Sequence, residues 1–152
     1  MTRVLFVCHG NICRSPMAEF VMKKLVREAG CADRFEIGSC GVSREEIGSD
    51  LYPPARAKLR EKGIPFGHHR ARQITRADYE SADYILLMDR QNRRWLDRLL
   101  GGDPAGKVHL LLEYAGRNDS VADPWYTGDF EAAYQDIRCR QDLCANLFAG
   151  SG

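Results

Sequence analysis

No stretch of this 152-residue sequence is apolar over enough residues to cross a bilayer. The first apolar run, Val4–Val7, is also far too short for the core of a signal peptide. Neither charge dominates, because 22 Lys and Arg residues face 21 Asp and Glu residues and leave a formal net charge of +1. Nucleic acid and membrane surfaces are therefore not expected as partners, and any preference for anions must come from a local site.

The sequence also lacks zinc-ligand spacing among its Cys and His residues, and it has no internal repeat, low-complexity tract or linker. Its 6 cysteines would permit disulfides in a small secreted protein, but a chain of this length can bury a sufficient core without them. We therefore expect a single domain over residues 1–152, reduced cysteines, a cytoplasmic location, and no metal or cofactor. The sequence does not determine an oligomeric state, and a monomer is the working expectation.

What the chain does contain is a distinctive loop. Residues 8–15, Cys-His-Gly-Asn-Ile-Cys-Arg-Ser, lie between the β-rich run Val4–Val7 and a helical pattern that starts at Pro16. In such a loop, successive backbone N–H groups and the N-terminus of the helix attract an anion. Arg14 adds a planar fork of donors that matches a phosphate group. Cys8 then lies at the base of a positive bowl that favours its thiolate form, as a phosphoryl-transfer site requires.

A Cys followed six positions later by an Arg is a weak signal on its own. The alternative is that Cys8 is a buried apolar residue at a strand end and that Arg14 is a surface cation. The setting favours the catalytic interpretation, because the pair spans a strand-to-helix turn that contains Gly10 and ends in Ser15-Pro16.

Apolar β-rich runs alternate with helical patterns along the chain. Strands are predicted at Val4–Val7, Phe35–Ser39, Tyr84–Met88 and Lys107–Leu112. Helices are predicted at about Pro16–Glu28, from Pro53 to Gly63, after Thr75, at Arg90–Leu100, and over a C-terminal segment with Phe130, Ala133, Tyr134, Ile137, Cys144, Leu147 and Phe148. The alternation predicts an α/β fold, an open parallel sheet of about four strands with helices on both faces. Ligands of such sheets bind beyond the carboxyl ends of the strands, where Cys8 lies.

Two helix starts carry recognisable signals. Ser15 is predicted as the N-cap of the first helix, with Pro16 at the first helical position. Thr75 with Asp78 is typical of a capping box. In the helix Arg90–Leu100, the apolar side chains predicted to face inward are Trp95, Leu96, Leu99 and Leu100.

Residues 7–19, Val-Cys-His-Gly-Asn-Ile-Cys-Arg-Ser-Pro-Met-Ala-Glu, closely resemble the signature of the low-molecular-weight protein tyrosine phosphatases. The resemblance continues in residues 69–73, in Met88-Asp89 with Asn92, and in residues 123–126, nearly end to end and in the family's order. It implies a phosphatase that hydrolyses phosphotyrosine, on a protein or a small aryl phosphate, through a phosphocysteine intermediate.

The resemblance also implies site residues. Cys8 is the expected nucleophile, Arg14 the phosphate ligand and Asp123 the general acid and base. The phosphate loop comprises His9, Gly10, Asn11, Ile12, Cys13, Arg14 and Ser15, and the aromatic wall for the substrate ring comprises Trp125 and Tyr126. Ser15 is expected to donate its hydroxyl to the Cys8 thiolate, and Ser39 and His69 are expected to brace Asn11, which is suited to a left-handed backbone.

Several of these residues have a purely structural alternative. Asp123-Pro124 alone would most simply be a turn, and Trp125 and Tyr126 could pack in the core as large aromatics usually do. His69 could be a surface residue. Cys13 could be a small buried residue behind the loop, whereas the resemblance makes it a partner that forms a disulfide with an oxidised Cys8.

The sequence departs from the better-known vertebrate pattern at the rim of the pocket. Glu45 aligns where an aromatic residue often forms the opposite wall. Residues 49–52 are about two residues longer than usual, and Thr127 replaces a common Gly. These differences lie at the pocket rim and therefore bear on substrate preference.

Three alternative functions remain open at this point. A phosphoarginine phosphatase uses the same scaffold, but the resemblance places a smaller Thr in that subgroup where this chain has Ile12, so Ile12 favours tyrosine. A thiol-dependent arsenate reductase needs a relay of further cysteines, and residues 64–100 contain none. A phosphate-binding or phosphocysteine-carrying module without hydrolysis has no use for a general acid, and Asp123 argues against it.

Overall fold

The computed structural model describes residues 1–115, 120–121 and 123–138, with the backbone alone for Tyr114, Ala115 and Tyr126. The strands are β1 (Thr2–Cys8), β2 (Phe35–Gly41), β3 (Tyr84–Leu87) and β4 (Val108–Leu110). The helices are α1 (Arg14–Glu28), α2 (Pro53–Glu61), α3 (Arg76–Ser81), α4 (Arg90–Leu100), α5 (Pro124–Thr127) and α6 (residues 130–138). Short 3₁₀ segments at Ala32–Arg34 and Leu111–Ala115 precede β2 and follow β4.

The four strands form one parallel sheet in the order β2-β1-β3-β4. Strand β1 is central, and its last residue, Cys8, pairs with Gly41 at the end of β2. Because all strands are parallel, their carboxyl ends meet at one edge, and the loops that follow β1, β2 and β3 leave the sheet side by side. The predicted fold class is confirmed.

Apolar cores lie on both faces of the sheet, because side chains of β1 alternate between them. Phe6 packs with α1 and with residues of α2 and α6 on one face. Leu5 and Val7 pack with Tyr79 of α3 and Leu96 of α4 on the other. Helices therefore cover both faces, as the alternating pattern predicts. Within the described ranges, no helix is long and apolar enough to span a membrane.

Three local predictions need correction. Helix α1 begins at Arg14 with Cys13 as its N-cap, because the Ser15 hydroxyl is held by the loop instead of the helix end. Trp95 and Leu99 are exposed, since only the side of α4 that carries Leu96 and Leu100 faces the sheet.

The third correction concerns the fourth strand. Strand β4 ends at Leu110, where the chain tightens into the 3₁₀ segment instead of continuing to Leu112. The C-terminal helix is described for residues 130–138, where Ala133, Tyr134 and Ile137 are buried as predicted. The remaining predictions for this helix, at Cys144, Leu147 and Phe148, lie outside the described residues.

Candidate active site

A pocket opens at the carboxyl end of β1, where the chain turns into α1. The residues that line it are Cys8, His9, Gly10, Ile12, Cys13, Arg14, Glu45, Glu46, Asp123 and Trp125. The sheet supplies Cys8, the loop that follows it supplies the floor, and the loops after β2 and β4 supply the rim. The structure thus brings the three predicted catalytic residues, Cys8, Arg14 and Asp123, into one cleft.

Cys8 lies at the base of this pocket and is almost fully buried. Its Sγ is 3.0 Å from the hydroxyl oxygen of Ser15, and the backbone N–H of Asn11 donates to the same sulfur over 3.3 Å. The Asn11 N–H donates to the sulfur, and the Ser15 hydroxyl is close enough to donate to it as well, an arrangement that can stabilise negative charge there. The predicted pairing of Ser15 with Cys8 is therefore available in this geometry.

Asn11 determines the shape of the loop. Its φ of 60° is left-handed, a conformation that Asn tolerates better than most residues. Its amide Nδ2 donates to Ser15 Oγ over 2.8 Å and to Ser39 Oγ over 3.0 Å, and its carbonyl oxygen is 2.6 Å from His69 Nε2. The structure brings together all the residues that the sequence analysis assigns to this brace.

The brace extends further than the sequence indicates. The backbone N–H of Arg72 donates to Asn11 Oδ1, so the fully buried Asn11 side chain is bonded through both of its polar atoms. Ser39 in turn donates to Glu19 over 2.6 Å. A Cβ on Gly41 would lie 2.7 Å from the His9 carbonyl oxygen, so glycine is required for this close approach of β2. Gly41 lies beyond the predicted strand Phe35–Ser39 and ends the observed strand β2, so the sequence pattern did not indicate this role.

Arg14 is buried beside the nucleophile. Its Nη1 donates to Asp89 Oδ2 over 2.7 Å and to the Val121 carbonyl over 2.9 Å, and its Nη2 is 3.4 Å from Asp123 Oδ2. Burial lowers the pKa of Arg14, but the charges of Cys8 and the two carboxylates outweigh burial and raise it. The guanidinium is therefore a permanent positive charge with a restrained orientation.

Asp89, to which the sequence pattern assigns no role, contacts Arg14 in the site. It caps α4: its Oδ1 accepts from the Asn92 N–H over 2.8 Å, and Asn92 Oδ1 accepts from the Asp89 N–H in return. Its other oxygen holds Arg14, so the turn from β3 into α4 orients the guanidinium. The Val121 N–H donates to the Met88 carbonyl at the same turn, which ties the loop before Asp123 to the end of β3.

Asp123 begins the short helix α5. Its Oδ1 accepts from the Trp125 N–H over 3.1 Å, while Oδ2 lies 3.4 Å from Arg14 Nη2 and the side chain lines the pocket that also contains Cys8. The side chain is partly exposed, so its carboxyl can reach a bound substrate. Asp129, the other described carboxylate in this segment, caps α6 through the Ala132 N–H and does not line the pocket.

The pocket walls differ in character. Trp125, 52% exposed, forms one wall and lies against the ring of Tyr52. The opposite rim carries Glu45, whose carboxylate is 3.5 Å from His9 Nε2, and His9 in turn meets the edge of Trp95. The side chain of Tyr126, predicted as part of the aromatic wall, lies outside the described part of the structure.

Cys13 is buried and also lines the pocket. Burial raises its pKa, and the negative charges of Cys8 and Asp123 add to that effect, so Cys13 is a neutral thiol. Cys8, Cys13, Cys31 and Cys40 are all free cysteines. Among the described residues, no three Cys, His, Asp or Glu side chains converge as metal ligands.

Comparison with known proteins identifies a family and relatives that match nearly the whole chain. The profile of the family described as low molecular weight phosphotyrosine protein phosphatase matches residues 3–149. The chain is 43% identical over 144 residues to the low molecular weight phosphotyrosine protein phosphatase of Sus scrofa, covering 90% of this chain and 89% of that protein. It is 38% identical over 149 residues to the low molecular weight protein-tyrosine-phosphatase YfkJ of Bacillus subtilis, covering 95% and 96% of the two chains.

Solved structures have the same fold. The crystal structure of YfkJ from Bacillus subtilis aligns with a TM-score of 0.95, at 34% identity, over 99% of this chain and 96% of that chain. The crystal structure of a Drosophila arginine phosphatase aligns with a TM-score of 0.87, at 32% identity, over 97% of this chain and 98% of that chain. The profile match, the sequence identities and the shared fold all extend over nearly the whole chain, which therefore belongs to the low molecular weight phosphotyrosine protein phosphatase family.

Proposed function

We propose that this protein hydrolyses phosphotyrosine, on proteins or as small aryl phosphates, through a phosphocysteine intermediate. The observation that carries the proposal is the convergence of Cys8, Arg14 and Asp123 on one pocket at the end of the central strand. A nucleophile, a fixed cation and an acid are the three groups that phosphate ester hydrolysis needs without a metal.

In the first step the Cys8 thiolate attacks phosphorus in line with the ester oxygen. The backbone N–H groups of the loop and the guanidinium of Arg14 hold the equatorial oxygens, where the charge of the transition state resides. As the phosphorus–oxygen bond breaks, Asp123 gives its proton to the departing phenolate, which leaves as a phenol. The products of this step are the free phenol and the phosphocysteine.

In the second step Asp123, now a carboxylate, removes a proton from water, which attacks the phosphocysteine from the opening left by the phenol. Inorganic phosphate forms and the sulfur leaves as a thiolate. The Ser15 hydroxyl, 3.0 Å from that sulfur, stabilises it as negative charge returns. Asp123 again holds a proton, and the enzyme is ready for another turnover.

Two features favour tyrosine over arginine as the phosphorylated residue. Ile12 lines the pocket as an apolar, branched side chain, and Trp125 presents an exposed indole against which a phenol ring can stack. The likeness to the Drosophila arginine phosphatase keeps phosphoarginine as the second candidate substrate. Among the described cysteines, Cys8 and Cys13 line the pocket, whereas Cys31 and Cys40 lie in the apolar cores and do not line it, so they do not favour the reductase alternative.

A reducing compartment is part of the proposal. The chemistry requires Cys8 as a thiolate, and the oxidants of secretory compartments would consume it. The cytoplasm is therefore the proposed location, with no metal, organic cofactor, nucleic acid or membrane required by the site. A monomer remains the proposed state.

A turnover panel tests the function. The purified protein is assayed with phosphotyrosine, phosphoarginine and phosphoserine, and with arsenate in the presence of a thiol reductant. The same assays are run on Cys8→Ser and on the control Cys31→Ser, which removes a buried thiol that does not line the pocket. We expect turnover of phosphotyrosine above the other substrates, its loss in Cys8→Ser, and its retention in Cys31→Ser. Preference for phosphoarginine, reduction of arsenate, or more than a few per cent residual activity in Cys8→Ser would overturn the proposal.

A further inference from the structure

The segment that is longer than the family pattern, residues 49–52, ends beside the active site. Its backbone is tied to the phosphate loop, because the Tyr52 N–H donates to the Ile12 carbonyl over 2.9 Å. Asp50 secures the same segment by accepting from the N–H of His69 over 3.0 Å and by an ion pair with Arg56. The position of Tyr52 is therefore set by the loop that binds phosphate.

The half-buried Tyr52 ring fills the space between that loop and the aromatic wall. It packs against the small cluster that contains Ile12 and Cys13. Its centroid is 4.8 Å from the Trp125 ring at an angle of 47°, and 6.0 Å from the Phe130 ring at 31°. These separations are typical of favourable aromatic pairs. The Tyr52 ring therefore contacts both the phosphate loop and the Trp125 side of the pocket wall.

The helix that carries the wall is too short to hold its own position. Helix α5 has 4 residues, Pro124–Thr127, and a single turn is not stable without packing. Asp123 caps this turn through the Trp125 N–H, so the carboxylate and the indole are parts of one unit. With the indole 52% exposed, the Tyr52 ring is a principal support of that unit.

We propose that Tyr52 is a positioning residue for the reaction: its ring, seated on the phosphate loop, supports Trp125 and thereby sets where Asp123 stands relative to the leaving oxygen. This inference rests on the proposed function. It assigns to the long segment 49–52 a role in catalysis and in the preference for aryl substrates. The wall is built in two layers, with Trp125 facing the substrate and Tyr52 behind it.

The test compares Tyr52→Leu and Tyr52→Met, which remove the ring, with Tyr52→Phe, which retains it. The control is Phe66→Leu, which removes another half-buried aromatic ring, packed against Phe20 away from the pocket. Each variant is assayed with aryl phosphates whose leaving groups range from phenol to very acidic phenols. Proton donation by Asp123 matters most for the poor leaving groups, so an error in its position should appear there.

We expect Tyr52→Leu and Tyr52→Met to lose about 2- to 10-fold in kcat with phenyl phosphate, the worth of one aromatic pair, and less with acidic leaving groups. Tyr52→Phe should restore the wild-type dependence, and Phe66→Leu should keep it. An unchanged leaving-group dependence in both ring-deleted variants would overturn the role of Tyr52, while an inactive wild-type chain would overturn the proposed function instead.

Fluorescence supplies a measurement independent of turnover. The chain has 2 Trp residues, so in a Trp95→Phe background Trp125 is the sole indole emitter. We expect acrylamide to quench Trp125 more strongly once the ring of Tyr52 is removed, and equally in Tyr52→Phe and its parent. Equal quenching in Tyr52→Met and its parent would show that Tyr52 does not hold the wall.

Discussion

The hydroxyl oxygen of Ser15 lies 3.0 Å from the sulfur of Cys8, and the side-chain amide of Asn11 donates to that same oxygen over 2.8 Å. Because the amide already supplies a hydrogen to Ser15, the hydroxyl proton is available to the sulfur or to the Cys40 carbonyl, 3.3 Å away. A thiolate attracts that proton more strongly than a neutral carbonyl oxygen does. Asn11 therefore orients Ser15 as a donor to the nucleophile.

Replacing Ser15 by Ala removes this donor from a thiolate that must leave phosphorus in the second step. A hydrogen bond to a charged group is worth about 1.5–3 kcal/mol, so we expect breakdown of the phosphocysteine to slow about 10- to 100-fold. Rapid mixing with p-nitrophenyl phosphate should then reveal a burst of p-nitrophenol before slow turnover. The control is Ser81→Ala, at the end of α3 and outside the pocket; a wild-type rate in Ser15→Ala would contradict the role.

Asp123→Asn keeps the shape of the side chain and an oxygen that can cap α5, but it cannot donate a carboxyl proton. We expect hydrolysis of phenyl phosphate to fall by about 10²–10⁴-fold, the usual worth of a positioned acid. Aryl phosphates with very acidic leaving groups should lose less, because they depart without a proton. Steady-state rates across the series measure this, with Asp129→Asn as the matched control. An equal loss for all leaving groups would rule against Asp123 as the acid.

Asp78 links the capping box of α3 to the brace behind the loop. It accepts from both terminal nitrogens of Arg72, at 2.7 and 3.1 Å, and from the N–H and hydroxyl of Thr75. Burial acts to raise its pKa, but the Arg72 and Thr75 bonds outweigh burial and lower the pKa below its ordinary value. The carboxylate form therefore stabilises the fold.

The sign of the pH dependence follows from that lowered pKa. The stabilisation is complete above the unfolded pKa, near 4, and is lost as pH falls through the lower folded pKa. We expect Asp78→Asn to cost about 1–3 kcal/mol of unfolding free energy at pH 7, a difference that is constant from about pH 5 to 8 and shrinks below about pH 4. Urea unfolding at each pH measures it, with exposed Asp33→Asn as control; a difference that grows in acid would contradict it.

The sequence predicted the parts of this site that depend on local pattern. The run Val4–Val7, the glycine-containing loop and the helix after Pro16 follow from periodicity and turn signals, and Thr75 with Asp78 forms both bonds of its capping box. Helix α4 has the predicted bounds, Arg90–Leu100. The parallel sheet then places Cys8 at the edge where ligands bind.

The sequence could not predict features that depend on residues far apart in the chain. The helix pattern alone misassigns Ser15, which does not cap α1 because its hydroxyl contacts Cys8, as the family resemblance implies. Arg14 is oriented by Asp89 and by the Val121 carbonyl, 75 and 107 residues away. No local pattern contains that information. Trp95 fits an inward helical stripe, yet it is exposed and lies against the His9 ring at the pocket instead of in the core.

Cys13 gives the pocket a second thiol, and the two cysteines differ in their surroundings. Ser15 and the Asn11 N–H both contact the Cys8 sulfur, whereas burial raises the pKa of Cys13 and keeps it protonated. Peroxide should therefore oxidise Cys8 first, giving a sulfenic acid and water. The Cys13 sulfur can then attack the Cys8 sulfur, with loss of a second water molecule, to form a disulfide that two electrons from a dithiol reduce.

We therefore expect peroxide to inactivate the wild-type protein reversibly and Cys13→Ser irreversibly, because without Cys13 the sulfenic acid is oxidised further. Since Cys13 must lose its proton to attack, disulfide formation should become faster as pH rises. The measurement is recovered phosphatase activity after peroxide and then dithiothreitol, with intact mass to detect the loss of two hydrogens. The control variant Cys31→Ser removes a buried thiol that does not line the pocket, and it should recover activity as the wild type does. Equal recovery of wild type and Cys13→Ser would show that Cys13 does not protect the nucleophile and is only a packing residue behind the loop.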